Sequence, residues 1–368
     1  MMNVMNEEQN SLEDETAEPS FTIHDIIWAS RYYLGHELKD ANISPDLLAD
    51  CETPQDLRDR FYGEALRRRW PITAPMAAKF TMYRPGAKRI LVLGNCQGPN
   101  LARALSATTD ASVFGVEVML YPQDPDYFEE AIDGADLIVA PRLGEDWGSI
   151  GTQALLARRP NDVVTYSLLY FDGLHPDMTY WGLRQDRVQS PFGDYHSKII
   201  LRSFFKGYSV ERCLQEFNED VFGELGFWDQ AEKSLAEMRA REVDTDIRCA
   251  DFLESAMLRE PCFHTMNHPR QTMFTQLAFA VCEHFGLKTF GTPLFGYNAL
   301  SGDVIWPVYR EIAERHRCAF MDDQRYWRAS HVMTREEFVW RCYKIYGAAD
   351  RDVFWDMAPA NHQATLKI

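Results

Sequence analysis

The residue best placed to do chemistry is Cys96, in the run Arg89-Ile90-Leu91-Val92-Leu93-Gly94-Asn95-Cys96-Gln97-Gly98-Pro99-Asn100. An apolar stretch there meets a glycine-flanked turn, and Pro99 suits the first turn of a helix. A thiol at a helix mouth sits where the dipole is positive and backbone N–H groups point outward. Both effects favour thiolate and a lowered pKa. The same N–H groups can hold an oxyanion. Gly94 and Gly98 permit a tight backbone and close approach of a ligand. The competing reading is a small buried cysteine under a tight turn. The spacing Gly94-x-x-x-Gly98 fits neither a dinucleotide fingerprint nor a phosphate-binding Walker loop.

A second dense cluster is Cys262-Phe263-His264-Thr265-Met266-Asn267-His268-Pro269-Arg270. Pro269 would open the helix that follows, placing His268 at its mouth as a general base. Cys262, His264 and His268 have a metal-like spacing. Pro269 keeps the two histidines off one helical face and no carboxylate completes the set, so no metal is expected. Asp194-Tyr195-His196-Ser197-Lys198 opens another helical stretch. Lys198, Arg202 and Lys206 follow at four-residue steps, a basic face that suits phosphates or, blandly, solvent. Arg142 and the loop Tyr170–Asp177 come after successive apolar runs.

These residues need a scaffold, and the pattern supplies one. Apolar runs at 89–93, 111–118, 137–140 and 163–169 alternate with helical stretches at 99–105, 127–132 and 151–158. That alternation predicts a parallel sheet covered by helices on both faces. Ligands of such sheets sit beyond the carboxyl ends of the strands, where Cys96, Arg142 and the Tyr170–Asp177 loop all fall. The expected organisation is an acidic disordered tail at 1–20 and a helical region at 21–87, whose last part, 71–87, is a proline-containing connector. An α/β core spans 88–300 with a helical insertion at 196–260, and a helical extension covers 301–368.

The 368 residues carry a formal charge of −17 with 46% hydrophobic and 13% aromatic residues. This is globular composition. The first twenty residues hold six acids and no base, which leaves −11 elsewhere. Such a balance argues against a general nucleic-acid binder. No apolar run approaches the roughly 18–20 residues of a membrane span, and no secretory signal is evident, so a cytoplasmic location is expected. The eight cysteines are scattered without a Cys-x-x-Cys pair, which speaks against a disulfide framework.

Taken together, Gly94-Asn95-Cys96-Gln97, Tyr195-His196-Ser197 and His264…Asn267-His268-Pro269 resemble the WcbI family of capsular polysaccharide biosynthesis enzymes over roughly residues 88–290. The resemblance implies a Rossmann-like or SGNH-hydrolase-like core, with Cys96 where SGNH enzymes place a nucleophilic serine. It implies coenzyme A as bound acyl donor and acetyl transfer to a sugar of a capsular or other cell-surface glycan. In that setting Cys96, His268, His264 and His196 are the catalytic candidates. Gly94, Asn95, Gln97, Gly98 and Asn267 are candidates for the oxyanion and substrate, and Arg142, Tyr195, Lys198 and Arg202 for the cofactor. Two alternatives stay open: a cysteine esterase of the SGNH type, and a non-catalytic ligand-binding assembly factor using the tryptophans as a partner surface. Whether the chain works as a homo-oligomer is also open.

Overall fold

In the computed structural model, residues 80–368 are described apart from 85, 184–185, 292–298, 322–323, 329–330 and 349. The segment 1–20 and nearly all of 21–87 therefore lie outside the described residues. The body traced below is formed by Arg89–Ile368 with the strand Phe80–Met82.

Its centre is a five-stranded sheet. The strands are β1 (Phe80–Met82), β2 (Arg89–Gly94), β3 (Ser112–Glu117), β4 (Leu137–Pro141) and β5 (Val163–Tyr166), in the order β1-β3-β2-β4-β5. Strands β2 to β5 are parallel, and β1 adds an antiparallel edge that the sequence reading had as connector. Helices α1 (Gly98–Thr108), α2 (Pro125–Gly134) and α3 (Thr152–Arg158) make the crossovers. Ile90 to Leu93 are all fully buried, as a strand covered on both faces requires. Alternation divides them. Ile90, Val92, Val113, Val139 and Val164 join the main core with Leu101 and Leu105 of α1. Phe114 turns to the other face, its ring 6.4 Å from that of Tyr127 in α2.

The chain leaves β2 toward β3, then crosses back to β4 on the other side of β2. The strand order therefore reverses at the carboxyl end of β2, the position where open α/β sheets bind ligands. Gly94 ends that strand under crowding. A Cβ there would lie 2.7 Å from Gly98 Cα and 2.8 Å from Tyr166 Oη. Only glycine lets strand and helix close so tightly.

Beyond the sheet, β6 (Met178–Tyr180) pairs with β9 (Tyr195–Ser197), and β7 (Gly182–Leu183) with β8 (Asp186–Arg187). Helices α4 (Lys198–Phe205), α5 (Val210–Gln215), α6 (Glu219–Leu225), α7 (Gln230–Arg241) and α8 (Ala250–Ala256) follow. A hairpin of β10 (Phe263–Thr265) and β11 (His268–Pro269) precedes α9 (Gln271–His284). Pro269 is thus in a strand and the helix starts after it, with Arg270 at its N-cap. The expected helical extension is mixed. A three-stranded sheet of β12 (Val304–Ile305), β13 (Tyr326–Arg328) and β14 (His331–Met333) stands among α10 (Arg310–Arg315), α11 (Arg335–Tyr346), α12 (Arg351–Asp356) and α13 (Ala360–Ala364). Trp181 and Trp306 are buried in aromatic clusters, whereas Trp327 and Trp340 are exposed.

Candidate functional site

The turn after β2 is tied by its own residues. Asn95 accepts from Gln97 N–H through Oδ1 at 3.0 Å and from Gly98 N–H through its carbonyl at 2.9 Å. Asn100 Nδ2 donates to the Cys96 carbonyl at 2.9 Å. The N–H groups expected to face an anion, Gly98 among them, are therefore engaged within the turn. This overturns the expected effect on Cys96. Burial, reinforced by the carboxylates of Glu117 and Asp303, pushes the Cys96 thiol up to about 12 against the pull of its own backbone N–H. At neutral pH the thiol is protonated.

Gln97 does not face a ligand either. It is 2% exposed. Its Nε2 donates to the carbonyls of Leu169 at 2.7 Å and Asn267 at 2.9 Å, and its Oε1 accepts from Leu169 N–H at 3.0 Å. Three loops meet on this one amide.

Tyr195 joins the turn through Asn267, and its pKa is raised mainly by burial and by Tyr180, with a smaller contribution from Cys96. Tyr195 Oη donates to Asn267 Oδ1 at 2.7 Å and lies 3.3 Å from His268 Nε2. Thr265 Oγ1 donates to the same Asn267 oxygen at 3.1 Å. Burial lowers the His268 pKa, and Asp303 opposes that only in part, so the ring is neutral. Its Nδ1 is buried and has no hydrogen-bond partner among the described residues. His264, on the neighbouring strand, is pushed down to about 3 by burial and by the charges of Arg270, His268 and His175. The amide nitrogens of Asn95 and Asn267 make no hydrogen bond within the described residues and remain available as donors.

Strand alternation separates Tyr195 from His196. The histidine turns away from Cys96, and its Nδ1 meets Tyr346 Oη at 2.7 Å while Nε2 meets the Val188 carbonyl at 2.9 Å. It is fully buried, with a pKa near 4 from burial. Lys198 donates to the Pro176 carbonyl at 2.6 Å, and burial lowers its pKa. Arg202 is 6% exposed and pairs with Glu224. The basic face read from the spacing of Lys198 and Arg202 therefore points inward, and the structure does not bring His196, Lys198 or Arg202 to Cys96.

Basic groups do gather past β4 and β5. A groove of about 520 Å³ is lined by Arg142, Ser167, Leu168, Tyr170, Ala240 and Arg241. Arg142 pairs with Asp244 at 2.6 Å on the exposed rim. Arg241 donates to the Tyr170 carbonyl at 3.0 Å, its guanidinium 5.9 Å from the Tyr170 ring centre. The sequence places Tyr170 at this sheet edge only as part of the Tyr170–Asp177 loop, and it does not single out Arg241. Arg241 ends α7, far from any motif, and only the fold carries it here. Among the described residues no group of three or more His, Cys, Asp or Glu could hold a metal ion.

A parallel-sheet α/β core with a cysteine at its switch point defines the class. The model of the family described as polysaccharide biosynthesis enzyme WcbI matches residues 89–289, just over half of the chain, and the chain belongs to that family. A solved structure of WcbI, described as a novel polysaccharide biosynthesis enzyme in its native form without a disulfide bond between CoA and a cysteine, shares the fold. The TM-score is 0.59 at 19% identity, covering 76% of this chain and 98% of that one. No curated protein relative matches.

Proposed function

We propose that this chain is an acyl-CoA-dependent O-acyltransferase that moves an acyl group, acetyl in the simplest case, onto a sugar hydroxyl of a capsular or other cell-surface polysaccharide. The observation carrying this reading is the cluster of Tyr195, Asn267 and His268, tied through Gln97 both to the Cys96 turn at the reversal of strand order and to the loop that lines an arginine groove. The pairing of CoA with a cysteine in the description of the similar structure supports CoA as donor. Arg142 and Arg241 would take its phosphates, and its thioester would lie toward Cys96.

In the proposed reaction Tyr195 Oη turns its proton from Asn267 Oδ1 toward a His268 ring protonated on Nδ1, then takes the acceptor hydroxyl's proton while passing its own to His268 Nε2. The alkoxide forms a C–O bond to the thioester carbonyl. Asn95 Nδ2 and Asn267 Nδ2 hold the oxyanion. Collapse breaks the C–S bond, and the departing CoA thiolate takes the proton back from His268 through Tyr195. Cys96 lines the pocket as a thiol. Burial raises the Cys96 thiol well above its ordinary range, which favours direct transfer over an acyl-cysteine and weighs against a cysteine esterase.

The test is release of CoA from acetyl-CoA with a panel of methyl glycosides, with acetylated sugar read by mass spectrometry. Wild type should release CoA and acetylate at least one glycoside, and His268→Ala should do neither. Absence of both release and a CoA-induced thermal shift in wild type would overturn the proposal.

A further inference from the structure

We propose that Gln97 is a positioning residue, a buried brace that holds the Cys96 turn in register with both the arginine groove and the His268 hairpin. The proposal rests on the reading of Cys96 and His268 as parts of one site. Its support is geometric. The amide makes three hydrogen bonds between 2.7 and 3.0 Å to backbone groups 72 and 170 residues away. Leu169, whose N–H and carbonyl are both held, lies between the groove residues Leu168 and Tyr170. Asn267, whose carbonyl is held, precedes His268 and binds Tyr195.

The brace is extended beside it. Phe171 N–H donates to the Met266 carbonyl at 2.8 Å, and Tyr170 Oη reaches Met266 Sδ at 3.3 Å. The 169–171 loop and the 266–267 turn thus run together, and among the described residues Gln97 links that pair to the Cys96 turn through its side-chain amide. Glutamine is the residue type that can serve here, because two carbonyls need two N–H donors and one N–H needs an acceptor. All three partners are backbone atoms, so no substitution elsewhere reproduces the loss.

Without the brace the turn can part from the other two loops. More water then reaches Cys96, which is only half-buried in the intact turn, and the burial that holds its proton weakens. The test is alkylation of Cys96 by iodoacetamide in the full chain, followed on the Cys96 peptide by mass spectrometry across alkaline pH. Gln97→Met keeps the volume and removes all three bonds. Gln97→Glu keeps the acceptor and removes both donors. Phe338→Leu, in the buried C-terminal aromatic cluster, controls for general loss of stability.

Both Gln97 variants should alkylate at least about tenfold faster than wild type near about pH 8, with an alkylation profile shifted to lower pH. In the acyl-transfer assay their kcat should fall with little change in KM for acetyl-CoA. Variants that react at the rate of wild type, or no faster than Phe338→Leu, would overturn the proposal. So would loss of the fold in both, because a positioning role must be separable from folding. Faster alkylation with no acyl transfer in any form of the protein would leave the brace standing and remove the transferase reading instead.

Discussion

Two polar regions of this chain look alike in sequence and differ in what their side chains have left to offer. The entry to α4 carries His196, Lys198 and Arg202, and each of these turns into the protein. His196 is closed by Tyr346 and Val188, Lys198 by the Pro176 carbonyl, and Arg202 is paired with Glu224. The turn and hairpin around Cys96 keep a neutral histidine, a tyrosine hydroxyl and two uncommitted amide nitrogens within one neighbourhood. Buried groups held by partners inside the protein specify a fold, even where capacity is left over, as at Nε and Nη1 of Arg202. Groups with remaining hydrogen-bonding capacity at a sheet edge can still act on a ligand.

Substitutions that separate activity from stability would sharpen this contrast. The largest effect is expected from Tyr195→Phe and His268→Ala, each lowering turnover by about 10²–10⁴-fold. Thermal denaturation should show both within about 4 °C of wild type. Equal turnover in wild type and either variant would break the comparison on its functional side.

Acid stability probes the structural side. Burial depresses the pKa of His175 and His196 from 6.5 to about 4, and of His264 to about 3. The unfolded chain therefore binds protons first as pH falls. Stability from these neutral rings is complete above about 6.5 and is lost progressively down to about 3. Urea unfolding at stepped pH should show that slope, and His196→Gln should flatten it.

Next in size, His196→Ala should cost about 2–4 kcal/mol through two lost buried hydrogen bonds and a cavity beside Tyr346. Chemical denaturation measures it, and turnover per folded molecule should be unchanged. The smallest effect is expected from joint Arg142→Ala and Arg241→Ala. It should raise KM for acetyl-CoA about tenfold with kcat kept, as uniform binding loss does. Lys198→Met should leave that KM unchanged, because its ammonium faces Pro176.

Much of the scaffold was legible. Ile90 to Leu93, the flanking glycines and Pro99 announce a strand, a turn and a helix, and the alternation that follows announces the parallel sheet. The place of Cys96 follows from that order alone. The state of its thiol does not, because Asn95 takes the N–H groups of the turn and Glu117 arrives from the end of a different strand. The inward turn of Lys198 and Arg202 was hidden for a similar reason. Their partners lie 22 residues away on either side, and four-residue spacing reports a shared face without its direction. Strands of two or three residues, such as β10 to β14, carry too little period to be seen. The sequence points to Gln97 as an oxyanion donor because it shows an amide beside a thiol and not the three backbone groups that occupy it.

The central claim is transfer from CoA to a sugar hydroxyl across a protonated Cys96, without an acyl-enzyme. Its most direct test is intact-mass measurement after rapid mixing of wild type with acetyl-CoA, alongside turnover of Cys96→Ala. The account predicts no acetyl adduct on the wild-type chain at any time and substantial turnover in Cys96→Ala. An acetyl group that forms on Cys96 within one turnover, with activity abolished in Cys96→Ala, would contradict it.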